Sequence, residues 1–371
     1  MRRLVLLVLA MALASPGVAQ EREAMERLLR APHHGPDGFF NPWEPFDWSL
    51  LRFLRWQLSR NPFDKSRAPV LPRVANDGSD LAGREHSATA TWVGHATVAV
   101  HDDDDVFLTD PHWSERALVP KRVVPPGVPL EAVPAHAFAV ISHNHYDHLD
   151  AETVERLPDT VAWFVPLGLG DWFRERGRKH VVELDWWQSA KHGRWTLTCL
   201  PSQHWSRRIE QGLNESLWCA WLLDSGERRY FFAGDTGYFP GFAEFGRRFG
   251  PIDLALLPIG AYEPRWFMRY QHLNPDDAVQ ATRDLAARHM LAIHWGTFDL
   301  TDEPLDLPPK ALAEAVATRG ESPERFRVLA IGERWHLPEL EGSPSPEPEG
   351  SPSPEPPVRT SPARAGGASG R

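Results

Sequence analysis

The chain of 371 residues predicts an α/β fold in which helices are layered on sheets. From about residue 87 it breaks into short apolar runs bounded by polar turns, the pattern of strands. Capped helical stretches fall between those runs, as layered α/β domains require. Polar side chains suited to metal or acid–base chemistry gather just past several strand ends, where open α/β sheets place their sites. A hydrophobic content of 42% is ample for one large core or two modest ones.

The first stretch reads as a secretory signal over residues 1–19. Arg2 and Arg3 form a basic start, and Leu4–Ala14 is an apolar segment too short to span a bilayer as a stable helix. Cleavage fits after Ala14 or after Ala19, and the lack of a nearby Cys argues against a lipoprotein. The expected destination is a periplasm.

Residues 20–86 form an extension rich in aromatics and Pro. Within it Trp48, Leu51, Leu54 and Leu58 recur at helical spacing, with Leu50 and Phe53 beside them, and Pro62 ends the run. An apolar face of this kind ordinarily packs on the main domain; it also suits the wall of a groove or a patch facing a membrane.

The main domain runs over 87–340. Its expected strands are Ala90–Val100, Val106–Thr109, Ala137–Ile141, Val161–Val165, Trp195–Leu200, Leu217–Leu223, Tyr230–Ala233, Leu254–Pro258 and Leu291–Ile293. The acidic run Asp102–Asp105 reads as a hairpin turn between two of them. A helix is expected over Pro275–His289, with Asn274 as N-cap, Pro275 first in the helix and Asp276 and Asp277 in its first turn. A second helix is expected over about 309–319. Residues 341–348 read EGSPSPEP and 349–356 repeat the octet, so the segment 341–371 has almost nothing apolar to bury and is expected to be disordered.

Composition narrows the partners. A formal net charge of −10, with only short runs of Lys and Arg, leaves no basic footprint for a nucleic acid. Cys199 and Cys219, the two cysteines, sit in apolar strand-like runs and read as buried free thiols rather than a disulfide or a zinc pair. The 17 histidines matter more, because neutral imidazole is the commonest side-chain metal ligand.

Those histidines are grouped. His143-x-His145-x-Asp147-His148 puts four donors into six residues of a loop leaving a strand. Such a loop can aim side chains at two ions a few ångströms apart, the separation that two-metal hydrolysis uses. His204, Asp235 and His294 follow three further strands and complete a candidate ligand set. Imidazoles with carboxylates suit zinc, and other divalent ions fit the same donors.

The motif HNHYDH resembles the hallmark of the metallo-β-lactamase fold, a four-layer αββα sandwich. The stretches TWVGHATVAV, LTDPHWSERA, PKRVVPPGVPL, ISHNHYDHLD, PSQHWSRR, GDTGYF, EPRWFMRYQHLNPDDAV and AIHWGTFDL are similar to the N-acyl-phosphatidylethanolamine-hydrolysing phospholipases D and their bacterial relatives, over about residues 40–337. The resemblance implies one zinc on His143, His145 and His204, a second on Asp147, His148 and His294, and Asp235 bridging them. It implies that Asp110 supports a metal-ligand His and that Gln271 and His272 line the pocket near a substrate phosphate. Asp147 and His272 are the expected catalytic residues, Asp147 by accepting the proton of the attacking water while near its metal. His95 in GHAT is read either as structural or as near the site. The expected activity is zinc-dependent hydrolysis of a phosphodiester in a lipid such as N-acyl-phosphatidylethanolamine, with peripheral membrane contact. The same fold also serves lactonases, β-lactamases and other phosphodiesterases, since function lives in the site, and a non-catalytic metal-binding envelope protein is the reading from another class.

Overall fold

The computed structural model describes residues 16–46, 49–82 and 85–340. Most of the expected signal (1–15) and the whole repeated tail (341–371) lie outside them. Residues up to Leu337 form one compact unit, which takes in the described part of the aromatic extension.

In chain order the strands are β1 (His34–Gly35), β2 (Gly38–Phe39), β3 (Glu85–Gly94), β4 (Thr97–Asp103), β5 (Asp105–Thr109), β6 (Phe138–Val140), β7 (Ala162–Pro166), β8 (Val181–Leu184), β9 (Ser189–His192), β10 (Trp195–Leu200), β11 (Ala220–Asp224), β12 (Arg229–Phe232), β13 (Ile252–Pro258), β14 (Ala287–Ile293), β15 (Phe326–Arg327) and β16 (Arg334–His336). The helices are α1 (Pro16–Leu29), α2 (Leu50–Leu58), α3 (Ala151–Arg156), α4 (Gly170–Glu175), α5 (Gly241–Phe249), α6 (Arg265–Met268), α7 (Pro275–Asp284) and α8 (Pro308–Thr318).

Two seven-stranded sheets, β16-β3-β4-β5-β6-β7-β8 and β15-β14-β13-β12-β11-β10-β9, stand face to face. Phe107, Phe138, Trp195, Trp221 and Tyr230 fill the space between them. A second apolar layer, with Val154, Trp163, Trp172 and Phe173, joins the outer face of the first sheet to α3 and α4. On the other side α5, α7 and α8 cover the second sheet. The result is the αββα sandwich. Its central strands, such as β13, are buried on both faces and therefore read as continuous apolar runs rather than alternating ones.

That double burial explains one departure from the expected elements. The run Ala90–Val100 is two strands, paired antiparallel with Trp92 opposite Val98. The chain reverses at Gly94 and His95, whose φ values of 132° and 53° make the turn. The helix expected over Pro275–His289 stops at Asp284. Its N-terminus has the capping box: Asn274 accepts from the Asp277 amide, and Asp277 accepts from the Asn274 amide. Ala286 (φ 50°) ends it, and residues 287–289 instead extend β14, paired with β13. The acidic run forms the β4–β5 hairpin, with Arg194 bridging Asp102 and Asp105.

The amphipathic helix departs further. No residue of α2 is buried, and Leu51 and Leu58 are 79% and 85% exposed. The leucine face does not pack into the body. The helix is held by another edge: Arg52 donates to the Trp266 carbonyl, Trp56 donates to Asp302 and stacks on Phe267, and the Arg55 guanidinium lies over Trp266. Cys199 and Cys219 are both buried and unpaired.

Candidate metal centre

The loop after β6 carries His143, His145, Asp147 and His148. It is closed by the His148 and Leu149 amides, which both donate to the His145 carbonyl. Arg208 fastens it from outside by donating to the Asn144 and Leu149 carbonyls and lying over the Tyr146 ring. From the second sheet come His204 after β10, Asp235 after β12 and His294 after β14. Two glycines let the GDTG turn close on its neighbours, Gly234 on the loop and Gly237 on the segment before Gln271. A Cβ on Gly234 would sit 2.4 Å from the Ser142 Cβ, and one on Gly237 would sit 2.1 Å from the Tyr270 carbonyl oxygen. His95, Asp110 and His294 have φ of 53°, 34° and 61°, a backbone conformation costing side chains on the order of 1–3 kcal/mol each and concentrated at functional sites.

The seven side chains make two clusters. In the first, His143 Nε2 lies 2.9 Å from His145 Nδ1, which lies 3.2 Å from His204 Nε2. In the second, His148 Nε2 and His294 Nε2 are 3.2 Å apart, each is 3.5 Å from Asp147 Oδ2, and each is 3.1 Å from an oxygen of Asp235. Asp235 Oδ2 is also 4.0 Å from His204 Nε2, so this carboxylate stands between the clusters.

These donors fit two divalent ions. Tetrahedral coordination at about 2.05 Å sets ligand atoms roughly 3.3 Å apart, close to the spacings found. The outer nitrogens of two rings in the first cluster are already engaged: His143 Nδ1 donates to the Ser142 hydroxyl and His204 Nδ1 to the Gln271 carbonyl. Their Nε2 lone pairs therefore converge on His145 Nδ1. Burial holds His143 and His204 well below the usual histidine range and His145 at about 4, so all three rings are neutral. Three converging neutral lone pairs repel one another and call for a cation.

The second cluster is charged. Burial opposes charge on His148, but Asp235, Asp147 and Asp110 outweigh it and push its pKa well above the usual range. His294 is pushed up to about 9, with burial opposing and Asp235 and Asp147 prevailing. Burial likewise opposes charge on Asp147 and Asp235, yet the neighbouring histidines hold both carboxyls well below the usual range.

Asp110 supports both clusters at once. Fully buried, it accepts from the Ser142 amide at 2.7 Å, the Ser142 hydroxyl at 2.5 Å and His148 Nδ1 at 2.5 Å. The Ser142 hydroxyl in turn receives His143 Nδ1. One carboxylate thus sets the ring orientation of a histidine in each cluster, the outer contact that orients metal ligands.

A cavity of about 780 Å³ opens on the centre. His145, Asp147, His204, Asp235, Gln271 and His272 form its polar floor. Phe46, Leu50, Phe53, Trp56, Phe267 and Leu300 are among its apolar walls. His272 Nδ1 lies 3.7 Å from Asp235, and burial holds this ring at about 4, hence neutral. Gln271 accepts from Trp205 Nε1.

His95 belongs to the centre as well. Its Nε2 lies 3.0 Å from Asp147 Oδ2, its ring is 4.0 Å from that of His294, and its carbonyl accepts the His294 amide. The one clue in the sequence was its place after Gly94 in an otherwise apolar run. Arg208 and the aromatic rim of Phe46, Trp205 and Tyr270 had no such clue, because their roles come from packing between distant segments.

Comparisons with known proteins identify the family. Residues 106–295 match the family model of the beta-lactamase superfamily domain. N-acyl-phosphatidylethanolamine-hydrolyzing phospholipase D 1 of Caenorhabditis elegans is 40% identical over 298 residues, covering 75% of this chain and 84% of that protein. The mitochondrial N-acyl-phosphatidylethanolamine-hydrolyzing phospholipase D of Saccharomyces cerevisiae is 36% identical, over 67% of this chain and 54% of its own. A metallo hydrolase from Ignicoccus hospitalis, at 21% identity, shares the fold with a TM-score of 0.53 over 68% of this chain and all of its own. The two facing sheets, the paired ligand clusters and these relatives agree: the chain belongs to the metallo-β-lactamase superfamily, as a metal-dependent hydrolase of the family of N-acyl-phosphatidylethanolamine-hydrolysing phospholipases D.

Proposed function

We propose that the protein is a phosphodiesterase of phospholipase D type. Its substrate is an N-acyl-phosphatidylethanolamine-like lipid, cleaved to N-acylethanolamine and phosphatidic acid, and its centre holds two zinc ions. The observation that carries this reading is the cavity: a polar floor at the ligand clusters meets an apolar wall from α2 and its neighbours, in a space large enough for the head of an amphiphile. The 40% identity to the nematode phospholipase supports the substrate class.

Two divalent ions bound at such a site lower the pKa of water from about 15.7 toward about 7 and neutralise phosphoryl charge. The chain's own groups do the rest. Asp147, oriented by His95, is placed to take the water's proton. His272, neutral and facing the cavity beside Asp235, is placed to donate to a phosphoryl oxygen. The exposed leucines of α2 meet the bilayer that supplies the lipid. Among the described residues no helix is long and apolar enough to cross a membrane; the contact proposed is peripheral. The same reading includes export to a periplasm, supported by Arg2, Arg3 and the apolar Leu4–Ala14.

Zinc-loaded protein assayed against a phospholipid panel and a lactone panel tests the substrate. Phosphatidic acid released from N-acyl-phosphatidylethanolamine is the expected product; turnover of lactones alone would overturn the reading, and failure to hydrolyse any ester would revive the metal-binding envelope protein. His145→Ala and Asp235→Ala should each lose bound metal and about 10²–10³-fold in rate, the several kcal/mol that metal catalysis supplies.

A further inference from the structure

Away from the lining of the cavity, three more donors meet. We propose that His33, His34 and Asp185 form a further divalent-metal site of zinc type, which fastens the amino-terminal segment to the body of the protein. His33 Nε2 lies 2.7 Å from Asp185 Oδ1 and His34 Nε2 lies 2.8 Å from Asp185 Oδ2. One donor atom from each residue falls within 4.8 Å of the others.

Two features favour an ion over a fortuitous cluster. Adjacent residues in an extended chain point to opposite sides, yet here both imidazoles turn their Nε2 atoms to one carboxylate, with ring centroids 4.5 Å apart. The rings and the carboxylate are also held in place. His33 stacks on Trp186 at 4.2 Å, His34 meets Phe39 edge-on at 4.9 Å, and Asp185 Oδ1 accepts the Trp186 amide at 2.7 Å. That amide steadies one oxygen and leaves Oδ2 as the ligand. Two imidazoles and one carboxylate suit zinc, with cobalt and nickel as substitutes. The side chains of His33 and Asp185 are 13% and 20% exposed and that of His34 is 50% exposed, so a fourth position open to water remains.

The location gives the site a role. Asp185 lies between β8 and β9, where the chain crosses from one sheet to the other, and His34 begins the β1–β2 ladder. An ion there joins the extension to that crossover. None of the three residues lines the catalytic cavity, so the site is structural.

The test is a calorimetric titration of the holoenzyme, already loaded at its centre, with ZnCl₂, alongside His34→Ala and Asp185→Asn. Wild type should take up one more saturable equivalent, bound at least about 10-fold more weakly in each variant, as loss of one ligand from a three-ligand site implies. Turnover should stay within twofold, and the melting temperature should rise with zinc in wild type only. The half-exposed His34 makes its variant safe for folding. Absence of a saturable equivalent in wild type, or its survival unchanged in both variants, would overturn the proposal and leave a purely hydrogen-bonded cluster. Because the difference between chains is read, the result does not depend on how many ions the main centre holds.

Discussion

Replacing Asp110 by Asn separates geometry from charge. Asn tolerates positive φ better than most residues, so the backbone at φ 34° is preserved. The amide oxygen can still accept the Ser142 amide now received by Oδ1. The new NH₂ then faces the Ser142 hydroxyl and His148 Nδ1, where Oδ2 accepted both. Two N–H donors cannot face each other at 2.5 Å. Neutral His148, the form that binds metal, escapes by moving its one proton from Nδ1 to Nε2, the atom that must be bare to hold metal. Loss of such an outer partner costs 10–100-fold in metal affinity, about 1.4–2.7 kcal/mol. Chelator competition should show that loss in Asp110→Asn, with activity restored by excess zinc. Ser142→Ala, which removes the acceptor for His143 but leaves the His148 contact, should weaken the His143–His145–His204 cluster more than the other. If Asp110→Asn holds both ions with wild-type affinity, the orientation argument is wrong.

Three further outcomes follow from the same structure. His294 is raised from the usual 6.5 to about 9, so its proton stabilises the metal-stripped fold fully below about pH 6.5, and that contribution fades as pH rises through 9. Metal loading at pH 7.5 must expel this proton; calorimetry in buffers of different ionisation enthalpy should register release, and zero release would refute the assignment. Leu51→Ser, at a position 79% exposed, should change stability by no more than about 0.5 kcal/mol while raising KM on vesicles, and an unchanged KM would remove α2 from lipid access. Gly237→Ala, whose Cβ would press on the Tyr270 carbonyl, should destabilise by about 1–3 kcal/mol and lower kcat by shifting Gln271 and His272; a neutral result in denaturant melts and kinetics would show that the turn has room.

How much of this was legible in the sequence depended on how local each feature is. The ligand loop could be read because four of its donors lie within six residues. The start of α7 could be read because its cap is a contact between Asn274 and Asp277, three positions apart. The β3–β4 hairpin could not, since Trp92 and Val98 are buried alike and no alternation marks the turn. Hydrophobic periodicity identified which face of α2 is apolar, but whether that face is covered depends on where Arg52 and Trp56 find Trp266 and Asp302, more than two hundred residues away. The centre itself shows the same division. His204, Asp235 and His294 end strands β10, β12 and β14 of one sheet, and the loop after β6 belongs to the other. A sequence can show each as a strand-end residue. Their convergence needs the two sheets to face each other and the GDTG turn to close on Ser142, which only a residue without a side chain at position 234 permits. The glycine is therefore as much a condition of the metal centre as the aspartate beside it.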